Sequence, residues 1–140
     1  MIERSVPWTR QLRPGYVTYR GEREFLPDLL ISRQERLVVK DARDWGGKGV
    51  ALGRSTPKEA WECYVDNALD AGGWIVQEVL ESRPYLYQCG EYGCVPHDVV
   101  WGPFVFGDRY AGSVLRMQPQ AGRGAVNLSL SATQGLVFEI

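Results

Sequence analysis

The sequence predicts an α+β fold, a mostly antiparallel β-sheet with helices packed on one face, in a single domain over residues 1–140. Three observations lead there. Sixteen glycines and eight prolines punctuate the chain with turns, which suits short strands better than a helical bundle. Helical periodicity occurs in two separate places, in the order strand, helix, strand–loop–strand, helix, strand. From Tyr85 onward, apolar runs alternate with glycine turns and read as hairpins; hairpins beside helices are the pattern of an α+β protein.

A chain of 140 residues, 44% hydrophobic and 24% charged, supports one real core and excludes wholesale disorder. Lys and Arg number 16 and Asp and Glu 17, so the net charge is −1. A dedicated DNA binder would carry a clear basic excess, so no nucleic-acid partner is expected, while a local cationic pocket remains open. No apolar stretch approaches the length of a membrane span and the N-terminus has no signal-peptide pattern, so no membrane partner is expected. Three cysteines, an odd number, suit reduced thiols, and the expected location is cytoplasmic. Met1 leads straight into coil, which reads as the middle of a longer protein.

Residues 2–20 read as irregular, punctuated by Pro7, Pro14 and Gly15, apart from a short strand at Tyr16–Tyr19. Within them WTRQLR (residues 8–13) is either an arm docking elsewhere with solvated charges or the lining of an anionic site; the arm is preferred. Phe25, Leu26, Leu29, Leu30 and Arg33 mark one face of a short helix begun near Pro27. Thr56-Pro57-Lys58-Glu59 reads as a second helix start, with Thr56 as cap, Pro57 first and Glu59 reaching back. Ala60, Trp61, Tyr64, Val65, Ala68 and Leu69 then form one apolar stripe, and Gly72-Gly73 ends it. Residues 74–80 (WIVQEVL) read as a buried strand with Gln77 and Glu78 inside it. Such a strand is an edge, or offers those two groups to a ligand, or turns them to solvent on alternate sides. Tyr85–Gln88 is a further strand and residues 90–93 a turn. VVWGPFVF (residues 99–106) is a strand whose Pro103 marks an edge or a bulge. Gly107-Asp108 turns, residues 109–117 return, and residues 126–130 and 136–140 close the chain as two last strands.

The stretch richest in chemistry is RLVVKDARDWGGKGVALG, residues 36–53. An apolar strand ends in Lys40, a polar segment leads to Gly46-Gly47-Lys48-Gly49, and a second apolar strand follows. Glycines bring backbone N–H groups close to a ligand, and two lysines add charge, so one reading is a cationic phosphate cradle. It matches neither GxGxxG nor the P-loop, which needs Ser or Thr after GK. The other reading is a plain hairpin turn. Cys89, Cys94 and His97 share a window, but a structural zinc site wants four ligands and a second pair is missing, so free thiols are expected. Cys63 lies on the second predicted helix, and His97 receives no role. Arg116 sits in the apolar run at residues 113–117. It is either buried, needing an anion that matches its fork, or turned outward on an alternating strand.

Taken in order, WTR, LVVKDARDWGGKGVALG, the second helix, IVQEVL, the Asp98-led strand, PFVFGDRYAGSVLR and AVN resemble a known family. The chain is similar, over nearly its whole length, to the C-terminal half of a circularly permuted ATP-grasp protein of type 2, the group related to glutathionylspermidine-synthase-like ligases. The resemblance implies that Lys40 contacts the adenine or the α-phosphate of ATP, and that Gly46, Gly47, Lys48 and Gly49 close over the phosphates. It implies that Gln77, Glu78, Val79 and Leu80 read the adenine, that Asp98 and Asn127 hold Mg²⁺, and that Arg116 binds the terminal phosphate. Ligases of this fold activate a carboxylate as an acyl phosphate, which an amine attacks. ATP, Mg²⁺, a carboxylate–amine substrate pair and the remainder of a longer polypeptide or a partner chain are therefore the expected companions. Two departures point to an alternative, an inactive scaffold kept as a binding module. Residues 116–127 contain no Asp or Glu where the family has a further metal ligand, and Leu128-Ser129-Leu130-Ser131 stands where it has a glycine pair.

Overall fold

A computed structural model describes residues 6–44, 48–81, 83–88, 91, 93–120, 126 and 132–137. The chain is α+β with mostly antiparallel sheets, and its contacts divide it into two units, residues 1–80 and 81–140.

In the first unit, β1 (Thr9–Gln11), β6 (Trp74–Glu78), β4 (Leu37–Asp41) and β5 (Val50–Leu52) form one antiparallel sheet in that order. The strands β2 (Tyr16–Tyr19) and β3 (Glu22–Phe25) form a separate hairpin. Its two-residue turn has Arg20 at φ 50° and Gly21 at φ 90°, the twist that matches a right-handed ribbon. Helices α1 (Leu26–Ser32) and α2 (Lys58–Ala71) cover one sheet face. Alternation decides which residues they meet: Leu37, Val39, Ala51 and Val76 pack with Leu26, Leu29, Leu30, Trp61, Val65 and Ala68 in a single core. Trp61 is fully buried and its indole N–H donates to the Leu30 carbonyl at 2.9 Å, so its polar atom carries no desolvation penalty. Each such side chain contributes about 1.5–3 kcal/mol.

Helix α1 starts with a proline in its first turn, as expected. Helix α2 ends at Gly72 (φ 65°), whose N–H closes on the Ala68 carbonyl. Its start differs from the expected capping box. Pro57, and not Thr56, stands at the cap position, and a proline side chain has no oxygen to accept a cap hydrogen bond; the Thr56 hydroxyl, one residue earlier, donates to the Leu52 carbonyl at 2.8 Å. Ala60 is exposed, so the buried stripe begins at Trp61. Residues 9–11, expected to be irregular, form strand β1 along β6, which makes β6 an interior strand and not an edge. Two short 3₁₀ turns, Gln34–Arg36 and Gly53–Ser55, lie so close that a Cβ on Gly53 would sit 1.9 Å from the Gln34 carbonyl oxygen.

The second unit is one antiparallel sheet in the order β10 (Thr133–Leu136), β9 (Arg109–Pro119), β8 (Cys94–Phe106), β7 (Tyr85–Gln88). The β8–β9 register slips between Pro103 and Val105, as a residue without an N–H requires, and Gly107 turns the hairpin at φ 64°. Strand β8 begins at Cys94, earlier than residue 99, because β7 extends the ladder to that end. The last described strand is Thr133–Leu136; the strand expected at 126–130 lies, beyond residue 126, outside the described residues, as do residues 138–140. No helix among the described residues is long and apolar enough to cross a membrane.

Candidate functional site

Among the described residues, the helices of the first unit pack on one face of its sheet and none on the other. Pairings of Thr9 with Gln77, Val38 with Gln77 and Leu52, and Lys40 with Val50 and Ile75 place all these side chains on the second face, together with Gln11. Among them Lys40 is the one charged group. Arg10, Asp41 and Glu78 leave the same strands on the opposite face.

Lys40 is half-buried, and burial lowers its pKa from the ordinary lysine value. Its Nζ donates to Gln77 Oε1 at 2.5 Å, Gln77 Nε2 donates to Thr9 Oγ1 at 2.9 Å, and the Thr9 hydroxyl donates to the Pro7 carbonyl at 2.8 Å. Lys40 and Gln77, each singled out in the sequence as a separate candidate, are thus in direct contact. Among the described residues no carboxylate forms an ion pair with Lys40.

Glu78 sits differently. Its carboxylate accepts hydrogen bonds from the Tyr19 hydroxyl at 3.0 Å and from the Arg20 guanidinium, so it ties the β2–β3 hairpin to β6. Burial, and then this carboxylate, raise the Tyr19 pKa above the ordinary tyrosine value. The backbone N–H of Glu78 donates to the Trp8 carbonyl and that of Val79 to the Arg36 carbonyl, each at 2.8 Å. The Leu80 side chain is exposed.

Of the glycine-rich loop, Gly46 and Gly47 lie outside the described residues. Lys48 is exposed, and Gly49 (φ 61°) receives the Asp41 N–H on its carbonyl at 2.8 Å, closing the hairpin base. A Cβ on Gly49 would meet Asp44 Oδ2 at 2.9 Å, so glycine is required there by space and by backbone. At the loop base the Arg43 guanidinium is held by Asp41 at 3.1 Å, which draws the Asp41 carboxyl below its ordinary range. Burial, then the charges of Asp41 and Asp44, raise the Tyr64 pKa. The WTRQLR segment contributes strand β1 and the fully buried Leu12, as a docked arm would. Arg10 and Arg13 line a cleft of about 290 Å³ with Gln11 and Tyr16.

In the second unit, Asp98 pairs with Gln118 and Arg116 with Val100, so Asp98 and Arg116 share one face of β8–β9. Arg116 is exposed, which excludes the buried alternative. Asn127 and Cys89 lie outside the described residues. Cys94 is exposed; His97 is buried, with Nδ1 2.9 Å from the Val95 carbonyl and its ring edge-on to Tyr87. Being three apart on one strand, Cys94 and His97 face opposite sides and cannot share an ion. Among the described residues no group of three or more His, Cys, Asp or Glu is placed to hold a metal.

No family model matches the sequence, and no curated protein matches it. Thr9, Tyr19 and Arg20, which hold Gln77 and Glu78, are the residues that reading the sequence missed. The only available signal was the two-residue alternation of TRQ and YVTY, which says which face a residue takes but not its partner.

Proposed function

We propose that the Lys40 face of the first unit is the nucleotide-binding surface of an ATP-grasp carboxylate–amine ligase. One observation carries this reading. A half-buried ammonium is the lone charge among the described residues of its sheet face, and its partner is a neutral amide. An ammonium has three N–H donors, and a desolvated cation of this kind favours an anionic partner such as phosphate. In the sequence the GGKG segment, residues 46–49, lies between β4, the strand that carries that lysine, and its hairpin partner β5.

In this reading Lys40 contacts the adenine or the α-phosphate and the loop with Lys48 covers the phosphates. Asp98 and Asn127 suit Mg²⁺ delivered with the nucleotide, since that ion is commonly held by one or two protein oxygens plus phosphate oxygens. Mg²⁺, when bound, would neutralise phosphate charge during formation of the acyl phosphate. The protein's share is positioning and electrostatic stabilisation. The remainder of a longer polypeptide or a partner chain would supply the acid and amine contacts. A cytoplasmic location fits ATP as substrate and the exposed free thiols Cys63 and Cys94.

Calorimetry with Mg-ATP tests the proposal. Binding is expected, and Lys40→Ala abolishes it while the circular dichroism spectrum is retained. Absence of binding to this chain and to a longer form of it overturns the reading. The absence of any acid in residues 116–127 favours a second reading, a binding scaffold without turnover. Measurable amine-dependent ATP hydrolysis would exclude it.

A further inference from the structure

Thr9 is given no role of its own by the sequence, although it lies within WTR, and it stands directly across the β1–β6 ladder from Gln77. A carboxamide has one accepting and one donating end. An ammonium can only donate, so Gln77 must turn Oε1 toward Lys40, and its amino end must then find an acceptor elsewhere. Thr9 Oγ1 is that acceptor, because its own proton is given to the Pro7 carbonyl, an atom that only accepts. The polarity of the whole series is therefore fixed at a backbone oxygen and runs from Pro7 through Thr9 and Gln77 to Lys40.

We propose that Thr9 is a positioning residue for Lys40: its hydroxyl locks the Gln77 carboxamide with the oxygen facing the lysine, and so holds the ammonium over the site. The consequence for a nucleotide rests on the reading above; the locking itself does not. Without the hydroxyl, the amide turns freely and presents its amino end to Lys40 for part of the time. The ammonium then loses its acceptor, while burial continues to oppose its charge. The side chains facing Lys40 from β1, β5 and β6 are Thr9, Gln11, Val50, Leu52, Ile75 and Gln77, none of which titrates. A change in the Lys40 titration thus reports on this series of bonds.

The test compares Thr9→Val, which keeps the shape, with Thr9→Ser, which keeps the hydroxyl. Nuclear magnetic resonance of the unliganded chain follows Lys40 Nζ and the Gln77 side-chain amide, and calorimetry follows Mg-ATP. In Thr9→Val the Lys40 midpoint moves lower, the Gln77 amide protons exchange faster, and Mg-ATP binds roughly tenfold more weakly, the worth of one hydrogen bond to a charged network. Thr9→Ser restores all three. Unchanged Lys40 and Gln77 signals in Thr9→Val overturn the proposal. If those signals respond but wild-type chain binds no Mg-ATP, the positioning stands and the nucleotide reading falls. Should Thr9→Val not fold, the wild-type Gln77 amide decides: slowed rotation and exchange support the locking, and rapid averaging overturns it.

Discussion

Both units are built on a four-stranded antiparallel sheet, and they use the two faces of that sheet differently. In the first, α1 and α2 cover one face so completely that Leu37, Val39 and Val76 are fully buried, and the other face carries one charge. In the second, no helix among the described residues covers the sheet. Val99, Leu115 and His97 are buried on one side, Asp98 and Arg116 share the other, and past residue 100 the hairpin exposes Trp101, Phe104, Val105, Phe106 and Tyr110. The difference teaches how to weigh a cation on a strand. Lys40 is informative because burial opposes its charge and the described residues of its face supply no compensating one. Arg116 is exposed, so water already solvates its guanidinium, and its position alone says little.

The largest test of this contrast is a pair of tryptophans. Trp61→Ala should cost about 3–5 kcal/mol, for lost burial and the cavity left behind. Trp101→Ala should stay within about 0.5 kcal/mol, as at other exposed sites. Chemical denaturation of both variants measures this, and equal losses would break the comparison. Next, Gly53→Ala must push apart two backbones that already touch, at a cost of about 1–3 kcal/mol, read in the same experiment. A wild-type-like midpoint would mean the two 3₁₀ turns separate easily.

A smaller effect concerns the pH dependence of Lys40. Its folded pKa is lowered by burial, so the unfolded chain holds the proton more tightly. The destabilisation this causes is fully present below the folded value and disappears as pH rises toward the ordinary value of 10.5. Stability of the wild type relative to Lys40→Met should therefore climb across that alkaline window, followed by urea midpoints at stepped pH. A flat difference would show that Lys40 is solvated. The smallest effect is at the loop base. Asp41 is held below its ordinary 3.8 first by the Arg43 side-chain bond, so its contribution is present above that value and fades as pH falls through the lowered one. Arg43→Ala should raise the Asp41 midpoint, seen by carboxyl resonance titration, part of the way back, since the backbone N–H of residue 43 still donates to that carboxylate, with little change in overall stability.

The elements set by local chemistry were legible in the sequence. The stripe from Trp61 to Ala68, its Gly72 stop, the proline-started helix at Leu26, the strand ending at Lys40 and the irregularity at Pro103 all follow from spacing and backbone restriction. What was hidden depends on partners far away in the chain. Thr56 has the residue type of a cap, but the helix starts one residue later and Pro57 takes the cap position. Strand β1 is three residues long and acquires its structure from β6 alone. Glu78 looked like a ligand group beside Gln77, and alternation sent it to the other face, where Tyr19 and Arg20 occupy it. Lys40 and Gln77 were both singled out in advance, whereas the threonine that orients them was not.

The pairing of β1 with β6 also sets an order of assembly. Thr9 and Gln77 are 68 residues apart, and every other strand and helix of the first unit lies between β1 and β6 in the chain. Contacts of such long separation form late, because the intervening chain loses its freedom before they repay it. During synthesis, at about 5–20 residues per second, β2–β3, α1 and the β4–β5 hairpin emerge with Lys40 in place and its amide partner still unmade. The lysine's setting is completed only when β6 slides between β4 and β1, so the polar face is the last part of this unit to mature.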